Sequence, residues 1–368
     1  MRKLYLDNSA TTAVTREVLN EMLPYFTEEF YNPSAQYMKA RLVKMAIQKA
    51  RIQFAEAINA EPEQIFFTSG ATESNNIIAR NYHVVASIYE HPSMQTGTRV
   101  KDEKELKRIL NHTKKYHHED MILEVLSWQM VNSETGVEFP IKKIAQLAHM
   151  NNMLCHSDMT AAFGKVPIDV KDLDIDFASF SGHKFHAPKG IGVLYIKDPK
   201  NFKGDIIGGG QERGIRSGTE NVPGIVAIGS AASLYNYNAE HNSNAKQARL
   251  YVLSRLRASM PCDFKLLGND DSDYYQVPSI INIAIKGIEG ESLMILLDGK
   301  GICVSTGSAC HSASLEVSQT VKSFNLPPEY EHGTIRISFD NSFDMDDADY
   351  LVDEIVKACK SLLALKGM

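Results

Sequence analysis

The sequence predicts an α/β fold: a large domain built on a mostly parallel mixed sheet covered by helices, followed by a smaller α+β domain. Three observations carry that expectation. Strand-like and helix-like segments alternate from residue 36 to residue 196, and the alternation gives way to a different pattern near residue 240. The chain of 368 residues is also long enough for roughly two domains with substantial cores. The large domain is expected over residues 14–240, and the small one over 1–13 and 241–368.

Short runs rich in β-branched and aromatic residues supply the strands: "QIFFT" (64–68), "VVASI" (84–88), "MILEVLSW" (121–128), "NMLCHSD" (152–158), "DFASF" (176–180) and "GVLYI" (192–196). Between them, "QYMKARLVKMAIQKARIQFAEAI" (36–58) and "IKKIAQLAHMNN" (141–152) read as helices. Beyond residue 240 a long helical segment (240–260) precedes the spaced strands "SIINIAI" (279–285) and "TIRISF" (334–339). A helix with acids in its first turn, "DMDDADYLVDEIVKACKSLL", closes the pattern.

Composition narrows the classes. With 43% hydrophobic and 23% charged residues, the chain reads as a soluble globular protein. A formal charge of -6 without a basic block argues against nucleic acid or an acidic membrane as partner. The start "MRKLYLDNSATT" lacks the apolar core of a signal peptide, and no run reaches membrane-spanning length. Five cysteines (Cys155, Cys262, Cys303, Cys310, Cys359) form no CxxC pair, which argues against a disulfide framework and a zinc ribbon. A reducing cytoplasm is the expected location.

Several short stretches carry candidate chemistry. "IFFTSGATESNN" (65–76) is a strand, a small-residue turn and a helix start, where free amides and hydroxyls form an anion cradle. Thr72 there either caps the helix or binds a phosphate. Asp158 ends a strand in apolar surroundings, where a carboxylate can pair with a cationic ligand group or simply cap a turn. His91 follows another strand, as a turn histidine or a catalytic one. The three histidines of "NHTKKYHHED" (111–120) read as a solvated helix end rather than a metal site. Cys310 lies in "GICVSTGSACHSASLEVSQ" (301–319), a small-residue run expected to be exposed and mobile, where packing does not explain a thiol. Cys303, beside Ile302 and Val304, reads as buried filler. Arg336 projects from an alternating strand, either to hold a carboxylate or to face water from a sheet edge. "IIGGGQERGIRSGTENVPG" (206–224) is glycine-rich and matches no dinucleotide fingerprint. In "FSGHKFHAPKGIG" (180–192), Lys184 and Lys189 sit between two apolar runs, and the fragment alone does not separate them.

Taken in order, "YLDNSATT", "NPSAQ", "TSGATESNN", the "EH" at 90–91, "VNSETG", "HSDMT", "SGHK", "GIRSGTENVPG", "VSTGSAC" and "IRIS" resemble the cysteine desulfurases of the class V aminotransferase superfamily, over nearly the whole chain. The long loop "STGSACHSAS" is similar to that of the NifS/IscS type. The resemblance implies the fold type I of pyridoxal-phosphate-dependent transferases, with pyridoxal 5'-phosphate as cofactor. It implies Lys184 as covalent anchor of the cofactor, Asp158 as partner of its ring nitrogen, and His91 as stacking and proton-transfer residue. Ala71, Thr72, Ser181 and His183 would hold the phosphate, and Thr219 would reach the phosphate of a neighbouring subunit in a homodimer. Arg336 with Asn32 would hold the substrate carboxylate, and Cys310 would take sulfur from L-cysteine as a persulfide for a sulfur-acceptor protein. The chain reads "NSETG" and "DMTA" where the family usually has "NNETG" and "DATQ" or "DAAQ". Ser133 and Ala161 therefore stand where amides near the cofactor's phenolic oxygen are usual, and Ser133 or a water would replace one of the lost hydrogen bonds. Other class V activities, such as a selenocysteine lyase, and a low-activity relative are the alternatives that these departures leave open.

Overall fold

The computed structural model describes residues 2–101, 104–106, 108, 124–268, 275–306 and 317–367. Cys310 and the histidine run at 111–120 lie outside the described residues. The chain divides into two compact units. The larger comprises Thr12–Met130 and Phe139–Tyr237; the smaller comprises Met1–Thr11, Val131–Glu138 and Asn238–Met368. The short segment at 131–138 thus joins the smaller unit although the chain on both sides of it belongs to the larger, a partition that only long-range contacts create.

Strand β1 (Leu4–Tyr5) opens the chain and belongs to the smaller unit. The larger unit then runs through α1 (Arg16–Met22), α2 (Met38–Ala57), β2 (Ile65–Thr68), α3 (Ala71–Asn81), β3 (His83–Ser87), β4 (Thr98–Val100) and β5 (Glu124–Ser127). It continues with α4 (Ile141–His149), β6 (Leu154–Asp158), β7 (Phe177–Ser181), β8 (Gly192–Ile196) and α5 (Val222–Leu234). Its strands form one seven-stranded sheet in the order β2-β8-β7-β6-β5-β3-β4. Pairing is parallel from β7 through to β4, while β8 runs antiparallel to both β2 and β7. Every residue of β7 and of β8 is buried, as a sheet screened on both faces requires. Phe66, Ile77, Val84, Val125, Phe177 and Leu194 share one apolar cluster that welds α3 to the strands.

Helix α2 forms because Ala40, Val43, Ile47, Ala50 and Phe54 recur at helical spacing and face inward. Its outer face mixes Lys39, Arg41, Lys44 and Lys49 with exposed apolar side chains, Met38, Leu42, Met45 and Ile52, Met38 at 75%. Among the described residues no helix is long and apolar enough to cross a membrane.

The smaller unit contains α6 (Ala239–Ser259), β9 (Phe264–Leu267), β10 (Ile280–Ile285), α7 (Gly290–Asp298), β11 (Ile302–Cys303), β12 (Thr334–Ser338) and α8 (Met345–Leu365). β12, β10 and β9 form an antiparallel sheet, and β1 pairs with β11 in parallel. Ile281, Ile283, Ile335 and Ile337 pack with Val252, Leu256, Leu351 and Ile355 in its core. Helix α8 begins with a reciprocal cap between Asp344 and Asp347, and acids in its first turn complement the helix dipole. Cys303 corrects the sequence reading: it is exposed, not buried. Successive side chains of extended chain point to opposite sides, so burying Ile302 and Val304 turns Cys303 outward.

Candidate active site

Parallel strands bring their carboxyl ends to one edge of the larger unit's sheet, and the candidate residues of this unit gather there. β6 ends at Asp158, which is 7% exposed. Its Oδ2 accepts a hydrogen bond from Asn75 Nδ2 at 2.9 Å, and its Oδ1 accepts from the Thr160 amide at 2.9 Å. Asn75, fully buried on α3, also donates to Ser93 Oγ at 2.9 Å. Ser93 in turn meets His91 Nδ1 through its hydroxyl at 2.7 Å and its amide at 3.2 Å. An Nδ1 that accepts from an amide carries a lone pair, so a neutral His91 ring holds its proton on Nε2. His91 therefore is a turn residue, as its position suggested, and is also tied through Ser93 and Asn75 to Asp158.

The turn before α3 is open to an anion. Gly70, not Thr72, is the N-cap, and no side chain caps this helix. Ala71 and Thr72 therefore present helix-start amides, with Thr72 exposed and Ala71 buried. Ser181, 6% exposed, ends β7 beside this turn: a Cβ built on Gly70 would lie 3.5 Å from its Oγ. A Cβ on Gly192 would come within 2.5 Å of Gly70 Cα, so the turn packs directly on β8 with no room for a larger residue there.

Lys184 follows Ser181 in the short turn Gly182–Lys184 and is half-buried. Thr12 pins that turn. Its amide and hydroxyl donate to the His183 carbonyl at 2.8 and 3.0 Å, and its Oγ1 accepts from the His186 amide at 2.7 Å. His186 adopts a left-handed φ of 70° and lays its ring on Tyr235 at 4.5 Å. Burial and the charges of Lys184 and Lys189 push His183 down to about 4, so it is neutral at physiological pH. Lys165 is a further cation here: burial and the Lys184 charge push its amine down to about 8. Lys189 is exposed, which separates the two lysines that the sequence left together.

Beneath the strand ends lies a buried polar layer that sequence reasoning missed. His156 bridges Ser127 Oγ at 2.8 Å and Ser179 Oγ at 3.0 Å, joining β5, β6 and β7. Burial drives it down to about 4, against the pull of Asp158. Glu90, 2% exposed, accepts from the Gln129 amide and is raised well above the usual carboxyl range by burial and by Asp158. Glu90 stands in the "EH" pair and His156 two residues before Asp158. Alternation along β6 is the one signal that places His156 on the Asp158 face.

In the smaller unit Arg336 is 1% exposed although β12 lies at a sheet edge, so the solvated reading fails. Its Nη2 donates to Asp7 Oδ1 at 2.7 Å and its Nη1 to the Ser133 carbonyl at 3.3 Å. Its Nε is buried and has no hydrogen-bond partner among the described residues. Ser133 is half-buried in the same unit. Asn32 and Thr219 belong to the larger unit and are exposed, Asn32 Oδ1 accepting from the Ser34 amide at 2.9 Å. Ala161 is half-buried in the turn after β6.

Comparison with known proteins places this architecture. Residues 4–351 match the aminotransferase class-V family, and the chain belongs to it. Among its relatives, a protein named cysteine desulfurase IscS from Clostridium botulinum is 38% identical, with 98% of this chain and 95% of that protein aligned. The X-ray structure of a NifS-like protein from Rickettsia africae superposes with a TM-score of 0.85 at 27% identity, covering 97% of this chain and 99% of the other. The structure of SspA in complex with cysteine gives a TM-score of 0.75 at 27% identity, covering 92% and 99%.

Proposed function

We propose that this protein is a pyridoxal-phosphate-dependent cysteine desulfurase, which converts L-cysteine to L-alanine and passes the sulfur, held as a persulfide on Cys310, to an acceptor protein. One observation supports the cofactor reading most: Asp158, the Lys184 turn and the uncapped start of α3 follow β6, β7 and β2 at the same edge of one sheet. They suit the three parts of the cofactor, a ring nitrogen that holds a proton, an aldehyde and a phosphate. The site also keeps buried polar atoms in reserve, since Asn75 Oδ1 and Thr160 Oγ1 have no partner among the described residues. Asp158 would hold the ring-nitrogen proton, Lys184 the aldehyde carbon, and Thr72, Ala71, Ser181 and His183 the phosphate. Ser133 is assigned to the phenolic oxygen.

When bound, the cofactor supplies an electron sink for charge developing at the substrate's α-carbon. The chain's own residues do the rest. Arg336, with Asn32, orients the substrate carboxylate through its planar fork. Lys184 would anchor the cofactor, and its amine would take the substrate's α-proton. A neutral amine is needed for that step. His91, whose ring then carries its proton on Nε2, would serve proton transfer. The Cys310 thiolate attacks the substrate sulfur: an S–S bond forms as the C–S bond breaks, and the carbon skeleton gains protons to leave as alanine.

Active protein is proposed to be a homodimer in the cytoplasm. The exposed apolar residues Leu23, Phe26, Phe30, Met38, Leu42 and Met45 support it, because large apolar side chains left in water along α2 and the connection before it favour a covering surface. The acceptor is an iron–sulfur scaffold or a tRNA-thiolation enzyme. To test the reading, apoprotein is titrated with pyridoxal phosphate and then given L-cysteine or L-selenocysteine, with alanine quantified. A lysine-anchored absorbance band and alanine from cysteine are expected. No band at any cofactor concentration overturns the reading, and alanine from selenocysteine alone redirects it to a selenocysteine lyase.

A further inference from the structure

The segment that joins the smaller unit at 131–138 is built around one asparagine. Asn132 Oδ1 accepts from the amides of Glu134 and Thr135 at 3.0 and 2.9 Å, and from the Thr135 hydroxyl at 3.1 Å. This side-chain turn fixes the backbone of Glu134. Asn282 Nδ2, on β10, donates to the Glu134 carbonyl at 3.1 Å. The Glu134 residue is 7% exposed, and its Oε2 accepts from the Ser318 hydroxyl at 2.6 Å, a length usual for a hydroxyl on a carboxylate. A carboxylate only accepts, so the Ser318 proton is committed to it. A lone pair of the Ser318 oxygen is left to accept from the Val321 amide at 3.2 Å. Ser318 is in this way both the N-cap of the short helix Gln319–Ser323 and its tie to Glu134. Asn132 Nδ2 adds a second tie, to Thr320 Oγ1 at 3.3 Å.

These ties converge with those of Arg336. Between Asn132 and Glu134, the Ser133 carbonyl accepts from Arg336 Nη1. The Arg336 backbone pairs with Ser305: its amide donates to the Ser305 carbonyl at 2.6 Å, and its carbonyl accepts from the Ser305 amide at 3.1 Å. Thr334 Oγ1 donates to the Thr306 carbonyl at 3.0 Å. Thr306 and Ser318 bracket Cys310 in the sequence. One side of that bracket is held by the strand of Arg336, and the other by the residue that follows Ser133. Burying a carboxylate is costly even when a donor compensates it. Helix capping alone does not call for that cost, since a serine N-cap needs no carboxylate behind it.

We propose that Glu134 is a positioning residue for sulfur transfer: by holding Ser318, it registers one end of the Cys310-bearing stretch to the Arg336 guanidinium. The inference rests on the reading above of Cys310 as sulfur acceptor and Arg336 as carboxylate ligand, and adds the residue that couples them. Glu134 touches neither substrate nor cofactor in this role; it acts through Ser318. The plainer role is structural, a clamp that only keeps the smaller unit in shape around Arg336. The two differ in the step they govern. Positioning governs the transfer of sulfur, whereas a clamp serves every step that uses Arg336.

Cofactor-loaded Glu134→Ala protein separates the two. Exchange of the α-proton of L-alanine in heavy water uses the cofactor, Lys184 and Arg336 but no thiol. Persulfide formation on Cys310, in a single turnover with L-cysteine, uses the thiol as well. In Glu134→Ala, exchange is expected within about twofold of wild type and persulfide formation about tenfold slower, the scale of a misplaced reacting group. Ser318→Ala is expected to repeat that split, and Ser318→Thr, which keeps the hydroxyl, to restore the wild-type rate. Should Glu134→Ala fail to fold, Ser318→Ala, at a half-buried position, takes its place with the same expectations. Exchange and persulfide formation that fall together overturn the inference, because a clamp would lower both. Wild-type protein that forms no persulfide on Cys310 refutes the reading above and the inference together. Persulfide in wild type, with an unchanged rate in the variants, refutes the inference alone.

Discussion

The strand ends of the larger unit and the sheet of the smaller unit both bury polar side chains, by different means. In the larger unit a chain of neutral and charged groups runs Ser127–His156–Ser179 and Asp158–Asn75–Ser93–His91, spread over α3 and several strands. In the smaller unit Arg336, on an isoleucine-rich sheet, has its charge matched by one carboxylate, that of Asp7, beside a bond to the Ser133 carbonyl. A network shares the loss of one member among its neighbours, but a lone buried pair leaves an uncompensated charge when one half is removed. The difference suggests a division of labour. In the proposed function the larger unit would set the electrostatics around the cofactor, and the smaller unit would hold one cation for the substrate carboxylate.

Breaking the larger unit at its anchor gives the largest effect. Lys184→Ala is expected to abolish the anchored absorbance band and to lower turnover at least about 1,000-fold, with circular dichroism unchanged because the side chain is outside the core. Turnover within tenfold of wild type would rule the anchor out. In the smaller unit, Arg336→Met is expected to lower kcat/KM for cysteine about 100-fold, largely through KM, as steady-state assays read it. Asp7→Asn sharpens the contrast, because it spares the guanidinium and strands its charge. Urea unfolding should then show a loss of about 3 kcal/mol, more than any single change in the larger unit's buried layer.

The layer itself is tested by pH. His156 is neutral in the folded state, held near about 4, whereas an unfolded histidine titrates near its ordinary value. Between these values the unfolded chain binds the extra proton, so stability should fall as pH drops from about 6.5 toward about 4, by up to about 3 kcal/mol. His156→Gln should flatten that slope in urea titrations of apoprotein. The smallest effect is reserved for Ser127→Ala, which leaves His156 its Ser179 bond and should cost about 1 kcal/mol.

Much of this was legible in the sequence because strands and turns are local. "GVLYI" is β8 residue for residue, and "DFASF" and "SIINIAI" lie within one residue of β7 and β10. The motifs at Asp158, Lys184 and Thr72 could be placed at strand ends or a helix start from pattern alone. What the sequence hid depends on partners far apart along the chain. Thr12 clamps a turn 171 residues away, Asn75 reaches Asp158 across 83, and Arg51 meets Glu212 across 161. Burial was equally hidden: "TIRISF" showed that Arg336 faces away from the isoleucines, but not that Asp7 closes over it. Cys303 failed for a simpler reason, since apolar neighbours in an extended run face the opposite way.

The most direct test of the account is a single turnover of cofactor-loaded protein with L-cysteine, followed by mass analysis of the peptide that carries residue 310. Wild type is expected to yield one alanine and one persulfide on Cys310 per active site. Cys310→Ser is expected to bind cysteine, as the cofactor absorbance reports, without forming either product. Alanine released by Cys310→Ser at the wild-type rate would contradict it.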